Sequence, residues 1–254
     1  MRLDGKVAVV TGGGRGIGEG IARLMLSEGA QVHLVDVNRD TVEETARALG
    51  DAAHGHAGDV SDPASVEAFT QSVVDAAGRI DILVNCAGIG TQAPFLDTPI
   101  DLWNRAMSIN LTGTFLCSQH AARAMATTGG GSIVNIASIS GARAGTGRTV
   151  YGTTKAGIIH LTRQMAVELA AHGIRANAVS PGPVDTEMTK QVHTQSQRER
   201  YYAVIPLARY GTIAEIAQAV VFLASDEASY ITGHNIFADG GFMAAGLLTP
   251  EDQH

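Results

Sequence analysis

Val7–Gly18 reads VAVVTGGGRGIG: a β-branched run that breaks into glycines and then opens a helix. Five residues without a charged gap predict a strand buried on both faces, the kind a parallel sheet uses. Apolar residues then recur at helical spacing over Ile17–Glu28, with Gly29 as the stop. Strand, glycine turn and helix in this order open a βαβ unit.

The alternation continues outward from that unit. Gln31–Asp36 (QVHLVD), His54–Val60, Ile80–Asn85 (IDILVN), Ser132–Ala137 (SIVNIA), Arg175–Val179 (RANAV) and Asn235–Asp239 (NIFAD) read as strands. Thr41–Leu49, Ser65–Ala77, Leu102–Ala126, Tyr151–His172 and Ile213–Ala224 read as helices. This order predicts an α/β fold, a Rossmann-type doubly wound parallel sheet with helices on both faces. No linker, repeat or low-complexity stretch divides the chain, so residues 1–254 are expected to form a single domain. The polar stretch Thr186–Ile205 lacks a clean period. Residues 185–210 are expected to form a substrate flap, and 242–254 a C-terminal tail that either packs on a neighbouring subunit or is disordered past Thr249.

The chain has 254 residues, 45% hydrophobic and 17% charged, the composition of an ordinary globular protein. Formal net charge is −7 and no basic block occurs, which argues against nucleic-acid and anionic-membrane partners. The N-terminus shows no secretory signal and no apolar run approaches about 18 residues, so the expected location is cytoplasmic, away from any membrane. Cys86 and Cys117 lack metal or redox spacing and read as small buried hydrophobes. No metal set is expected: His54 and His56 read as surface or strand-end residues, and His160 and His172 as packing or capping residues.

Glycines at 12, 16 and 18 are spaced G-x3-G-x-G, unlike the common G-x-G-x-x-G fingerprint. So bare a backbone lets a pyrophosphate approach a helix N-terminus and its free N–H groups. Asp36 ends the next strand. A carboxylate there accepts hydrogen bonds from adenosine ribose hydroxyls and repels a 2′-phosphate, favouring NAD over NADP. Arg15 points the other way, since a guanidinium pairs well with phosphate. Asp59, read as the end of the third strand, is placed to meet an adenine amino group.

Four polar residues fall beyond the carboxyl ends of strands, where open parallel sheets bind ligands. Ser138 follows SIVNIA, Tyr151 and Lys155 lie four apart at a helix start, and Asn110 lies in the long fourth helix. Oxidising an alcohol requires removal of its hydroxyl proton as hydride leaves the carbon. A free phenol ionises near pH 10, and an ammonium one helical turn away favours its charged form. A serine hydroxyl can orient the substrate oxygen.

Together TGGGRGIG (11–18), NCAG (85–88), Asn110, Ser138, YGTTK (151–155) and PGPVDT (181–186) resemble the short-chain dehydrogenase/reductase family, over nearly the whole chain from Leu3 to about Gly241. The resemblance implies seven parallel strands and a homotetramer. It makes Tyr151 the general acid/base, Lys155 its electrostatic partner and a ligand of the nicotinamide ribose, and Ser138 the residue that positions substrate. Asn110 would hold a water that relays protons from Lys155, and Asn85 would support the central sheet near the cofactor. Pro181, Gly182, Val184 and Thr186 resemble the segment that contacts the nicotinamide carboxamide. Gly12, Arg15, Gly16, Ile17, Gly18, Asp36, Asp59, Val60, Ala87 and Gly88 complete the expected cofactor surface. Ser140, Arg143 and Arg148, between the catalytic serine and tyrosine, and His193 in the flap are the substrate candidates. Cys86 and Thr153-Thr154 depart from the usual Asn and Ala-Ser.

The expectation is an NAD-dependent oxidoreductase acting on a secondary alcohol or ketone, a sugar, polyol or similar small hydroxy compound. Two alternatives compete. A 3-oxoacyl-thioester reductase using NADPH is favoured by Arg15 and opposed by Asp36. A non-catalytic nucleotide-sensing protein is opposed by the intact Tyr151–Lys155 pair.

Overall fold

The computed structural model describes residues 1–246. Its strands are β1 (Val7–Thr11), β2 (Gln31–Asp36), β3 (Ala53–Ala57), β4 (Ile82–Asn85), β5 (Gly131–Ile136), β6 (Ile174–Pro181) and β7 (Asn235–Ala238). All pair in parallel, in the order β3-β2-β1-β4-β5-β6-β7. The chain runs outward through β2 and β3, then returns to place β4 on the other side of β1. That reversal opens a crevice at the carboxyl ends of β1 and β4, the place where such sheets take ligands.

Alternate strand residues feed two cores, as the pleat requires. On one face Ala8, Val10, Leu34, Val84 and Ile136 pack under α1 (Gly16–Ser27), α2 (Arg39–Leu49) and α9 (Ile213–Ala224), which contribute Ile21, Met25, Val42 and Val220. On the other, Val7, Val9, Val35, Leu83 and Ile133 meet Phe69 and Val73 of α3 (Pro63–Ala77), Cys117 and Met125 of α5 (Gly113–Thr127) and Met165 of α6 (Thr149–Leu169). Full burial of each such aliphatic side chain contributes roughly 1.5–3 kcal/mol. The continuous apolar strands of the sequence are thus covered on both sides.

Four expected elements differ in detail. The long fourth helix is α4 (Ile100–Ala106) joined to α5 by a π-helical turn over Met107–Thr112, which contains Asn110. The third strand ends at Ala57, so Asp59 lies beyond it. Gly58 N–H makes a last rung to the Asp36 carbonyl, and Asp59 then folds a turn onto Ser61. The aperiodic flap contains two helices, α7 (Glu187–Val192) and α8 (Gln195–Tyr202), each opened by a threonine capping box, at Thr186 and Thr194. The tail is described only to Gly246; the expectation for the segment past Thr249 lies outside the described residues.

Candidate active site

The glycine loop closes on itself at van der Waals limits. Gly12 has φ +65°, and a Cβ there would stand 2.8 Å from Ala87 Cα. At Gly18 a Cβ would stand 2.1 Å from the Gly12 carbonyl oxygen, so the start of α1 sits directly on the loop. Thr11 Oγ1 accepts from the N–H groups of Cys86 and Ala87 at 3.1 and 3.2 Å, tying the end of β1 to the loop after β4. Exposed Arg15 is the N-cap of α1 and supplies no capping bond, whereas Asn38, Asp62 and Thr212 cap α2, α3 and α9 with their side chains. The first-turn N–H groups of α1 have no intrahelical acceptors and start the helix at the carboxyl end of β1, beside the crevice.

Asp36 completes this concavity. Its carboxylate accepts from Gly14 N at 3.2 Å and from Asn38 N at 3.1 Å, which fixes it beside the glycine loop. Ile17 is half-buried against the core, and Val60 is buried where Gly113 allows α5 to approach. Asp59 is exposed, and its Oδ1 accepts from both the N–H and hydroxyl of Ser61. A bare loop, an uncapped helix start and a fixed carboxylate fit a dinucleotide: pyrophosphate over Gly12–Gly18 and ribose hydroxyls on Asp36.

The residues expected to handle the proton come from three elements. Ser138 follows β5 and caps a 3-10 turn, Ile139–Gly141, accepting from Ser140 N at 3.1 Å. That leaves its own proton free to donate. The turn lies flat on α6. A Cβ at Gly141 would meet the Lys155 backbone at 2.6 Å, and one at Gly152 would meet the Ser140 carbonyl oxygen at 2.8 Å. Two glycines therefore let the serine turn approach the helix that carries Tyr151 and Lys155.

Lys155 is 5% exposed and donates to the Ile136 carbonyl at 2.7 Å. Its Nζ stands 5.7 Å from the centroid of the Tyr151 ring. Among the described residues no carboxylate forms an ion pair with it. Asn110 is fully buried. Its side-chain amide accepts from Ile89 N at 2.8 Å and donates to Ile89 O at 3.0 Å and Thr154 Oγ1 at 3.1 Å. Its backbone carbonyl accepts from the Thr114 hydroxyl at 2.7 Å. Gly88 completes the convergence, since a Cβ there would lie 3.1 Å from Asn110 Oδ1 and 3.8 Å from Lys155 Nζ.

Asn85 heads a buried polar chain. Its amide donates to Ser118 Oγ and Asn135 Oδ1, and the Asn135 amide donates in turn to Thr162 Oγ1 on α6. Sheet and helix are thus pinned together behind the site. Pro181 closes β6 against Ala238. A Cβ at Gly182 would meet Asp239 Cα at 2.8 Å, and Val184 bridges to Gly211 where the flap leaves the sheet.

The flap has an aromatic base. His193 Nδ1 and Tyr210 Oη are 2.9 Å apart, and Tyr201 stacks on the imidazole with centroids 5.7 Å apart. Arg198 lies over Tyr210 and pairs with Asp185 at 2.8 Å. Burial holds His193 below the usual imidazole range, and the charges of Arg148 and Arg198 add to that shift. Burial likewise pushes Tyr210 up to about 12. Arg148 stands over the Tyr151 ring and Arg143 over Phe242. With Ser140 both line a depression of about 310 Å³ whose lining does not include Tyr151 or Ser138.

Cys117 is buried as expected, whereas Cys86 is half-buried against the core. Burial pushes Cys86 up to about 11 and Cys117 to about 12, which keeps both as thiols. His54 and His56 lie one residue from either end of β3, the edge strand, as strand-end residues, both half-buried, His54 on Gln31 and His56 on buried His33. His160 and His172 are exposed rather than packed. Sequence reasoning missed Thr91, Thr154, Asp185, Arg198 and Tyr210. Only Thr154, one residue from Lys155, carried a local signal. Among the described residues no helix is long and apolar enough to cross a membrane, and no group of His, Cys, Asp or Glu is arranged to hold a metal ion.

Residues 12–243 match a family model described as enoyl-(acyl carrier protein) reductase. The chain is 40% identical to a D-threitol dehydrogenase of Mycolicibacterium smegmatis over 95% of this chain and 94% of the relative. It is also 40% identical to a 3-oxoacyl-[acyl-carrier-protein] reductase of Vibrio cholerae, over 95% and 98%. A gluconate 5-dehydrogenase of Burkholderia cenocepacia, solved with NADP and tartrate, superposes with a TM-score of 0.93 at 36% identity, covering 96% of this chain and 98% of that one.

Proposed function

Because the chain belongs to the short-chain dehydrogenase/reductase family, oxidoreductases acting on CH–OH and keto groups, we propose that it moves a hydride between NAD and a small secondary alcohol or its ketone, a sugar, polyol or related hydroxy compound. The observation that carries the reading is the buried Lys155 ammonium, anchored on Ile136 O and turned to the Tyr151 ring. A cation stored at 5% exposure with no ionic partner is costly unless a neighbouring group uses its charge.

Ser138, with one lone pair taken by Ser140 N, turns its hydroxyl to the substrate oxygen and orients it. Tyr151 takes the hydroxyl proton during oxidation and returns it during reduction. Lys155 stabilises the phenolate between those events. Asn110 holds the Ile89 loop over this group and, on the family resemblance, positions the water through which protons leave. Bound NAD supplies the hydride acceptor, or as NADH the donor. The alcohol thus gives one hydride and one proton and becomes the ketone.

Asp36 supports NAD as the partner, because its fixed carboxylate would face a 2′-phosphate. A 3-oxoacyl-thioester reductase using NADPH is the second reading, supported by exposed Arg15 and by the similarity to the Vibrio cholerae reductase. A cytoplasmic homotetramer acting on a small molecule belongs to the first reading. The test is NAD reduction at 340 nm across a panel of polyols, sugars and aldonates. Activity that survives Tyr151→Phe would remove the assigned mechanism, and tighter binding of NADPH than of NADH would transfer preference to the second reading.

A further inference from the structure

Resting on the dehydrogenase reading, we propose that the substrate carries a carboxylate, received by the Arg148 guanidinium with the Thr91 hydroxyl as an added donor. Arg148 is half-buried at the start of α6, with Cζ 5.8 Å from the Tyr151 ring centroid. Its side chain makes one hydrogen bond, a long one of 3.5 Å from Nη1 to the Thr91 carbonyl. A guanidinium has five donors, so most remain available. Among the described residues no carboxylate pairs with Arg148, whereas Arg198 across the flap is matched by Asp185.

Thr91 supplies an independent sign. It is 7% exposed and its hydroxyl has no hydrogen-bond partner. A buried hydroxyl in this state is uncommon and calls for a partner the protein itself does not provide. Thr91 lies two residues beyond Ile89, whose backbone Asn110 clamps from both sides, so this hydroxyl is held in fixed relation to the proton-handling group. The charge of Arg148 is also felt across the cleft, where it helps hold His193 below its ordinary range.

A guanidinium reads a carboxylate through two parallel N–H bonds, which a neutral polyol cannot match. With the reacting carbinol at Tyr151 and Ser138, an anionic group a few bonds away falls to Arg148. The class is therefore a hydroxy acid or aldonate. An acyl thioester carries no charge so close to its keto group.

Matched probes test this. Gluconate against glucitol, and threonate against threitol, are titrated into NADH-loaded protein while reduced-nicotinamide fluorescence is followed, so that no turnover is needed. The expected result is that each carboxylate binds at least about tenfold tighter than its alcohol. Arg148→Gln should bring the pair within about threefold, and Thr91→Val should weaken the carboxylate about three- to tenfold while leaving the alcohol unchanged. Equal binding of the two in the unaltered protein, no binding of the carboxylates, or a preference that survives Arg148→Gln would overturn the inference. Turnover is scored separately. If no alcohol or acid in the panel is oxidised by protein with Tyr151 intact, the dehydrogenase reading fails, while the binding comparison still decides the carboxylate.

Discussion

The Lys155 ammonium donates to the Ile136 carbonyl across 2.7 Å, so the last residue of β5 fixes the cation that faces Tyr151. Strand and helix are held in register by a bond that, on the proposed mechanism, also serves the chemistry. Lys155→Met should therefore do two things. It removes the charge that supports phenolate, lowering kcat by roughly 10²–10⁴. It also leaves a buried carbonyl without its donor, at a cost of about 1–3 kcal/mol. Steady-state kinetics and a denaturant titration read the two effects separately; unchanged kcat would remove Lys155 from the proton-handling group.

Asp36 accepts from two backbone N–H groups and presents its remaining lone pairs to the crevice. Asp36→Ala removes the carboxylate, leaving Arg15 as the nearest charge in sequence on the loop. The ratio of NADH to NADPH affinity should fall by at least about tenfold, or roughly 1.4 kcal/mol. Paired fluorescence titrations with the two reduced cofactors check it.

Gly18→Ala places a methyl 2.1 Å from the Gly12 carbonyl oxygen, a contact no side-chain rotation relieves. The loop must shift, at a cost typical of overpacking, about 1–3 kcal/mol. Dinucleotide affinity should fall at least tenfold, while Gly50→Ala, whose φ of +101° strains the fold at the far end of α2 without touching the loop, should lower stability and leave affinity unchanged. Calorimetric titration with NADH distinguishes the two.

His33 is buried on β2 and meets His56 of β3 at 2.9 Å, with the His54 ring tilted against it at a centroid distance of 4.8 Å. Burial pushes His33 down to about 4, and the charges of His56 and His54 add to that shift; His56 moves in the same direction. The inner helix facing this edge presents Val66, Phe69, Thr70 and Val73, while its carboxylates Glu67 and Asp75 lie on the exposed face. A folded state with a depressed histidine pKa binds fewer protons than the unfolded chain. Stability is therefore full above about pH 6.5 and falls as pH drops toward about 4, by up to roughly 3 kcal/mol for His33. Urea titrations between pH 7.5 and 4.5 should show this slope, and His33→Gln should flatten it.

The sequence made the fold legible because each strand is a short apolar run bounded by a turn or helix signal, and because the parallel order follows from alternation. Tyr151 and Lys155 were legible for a local reason, their four-residue spacing on one helix. Thr91 was not. A threonine in a loop looks like any other until its hydroxyl proves buried and unpaired. The Arg198–Asp185 pair spans thirteen positions and two flap elements, so no periodicity announces it. The π-helical turn around Asn110 escaped for a different reason: Leu102–Ala126 keeps helical composition throughout, and nothing local marks the turn in which Asn110 bonds Ile89 and Thr154. The contact of His33 with His56 is not legible in the sequence because it depends on strand register, in which His56 lies opposite Val35 and His33 opposite His54.

Ser138 reaches the tyrosine helix through backbone packing at Gly141 and Gly152 rather than through interlocked side chains. The proposed reacting geometry is thus insulated from the identity of the residues at 142–146. That short segment can be rewritten to suit a new metabolite while the chemistry stays in place, so one scaffold can serve many pathways by local change alone.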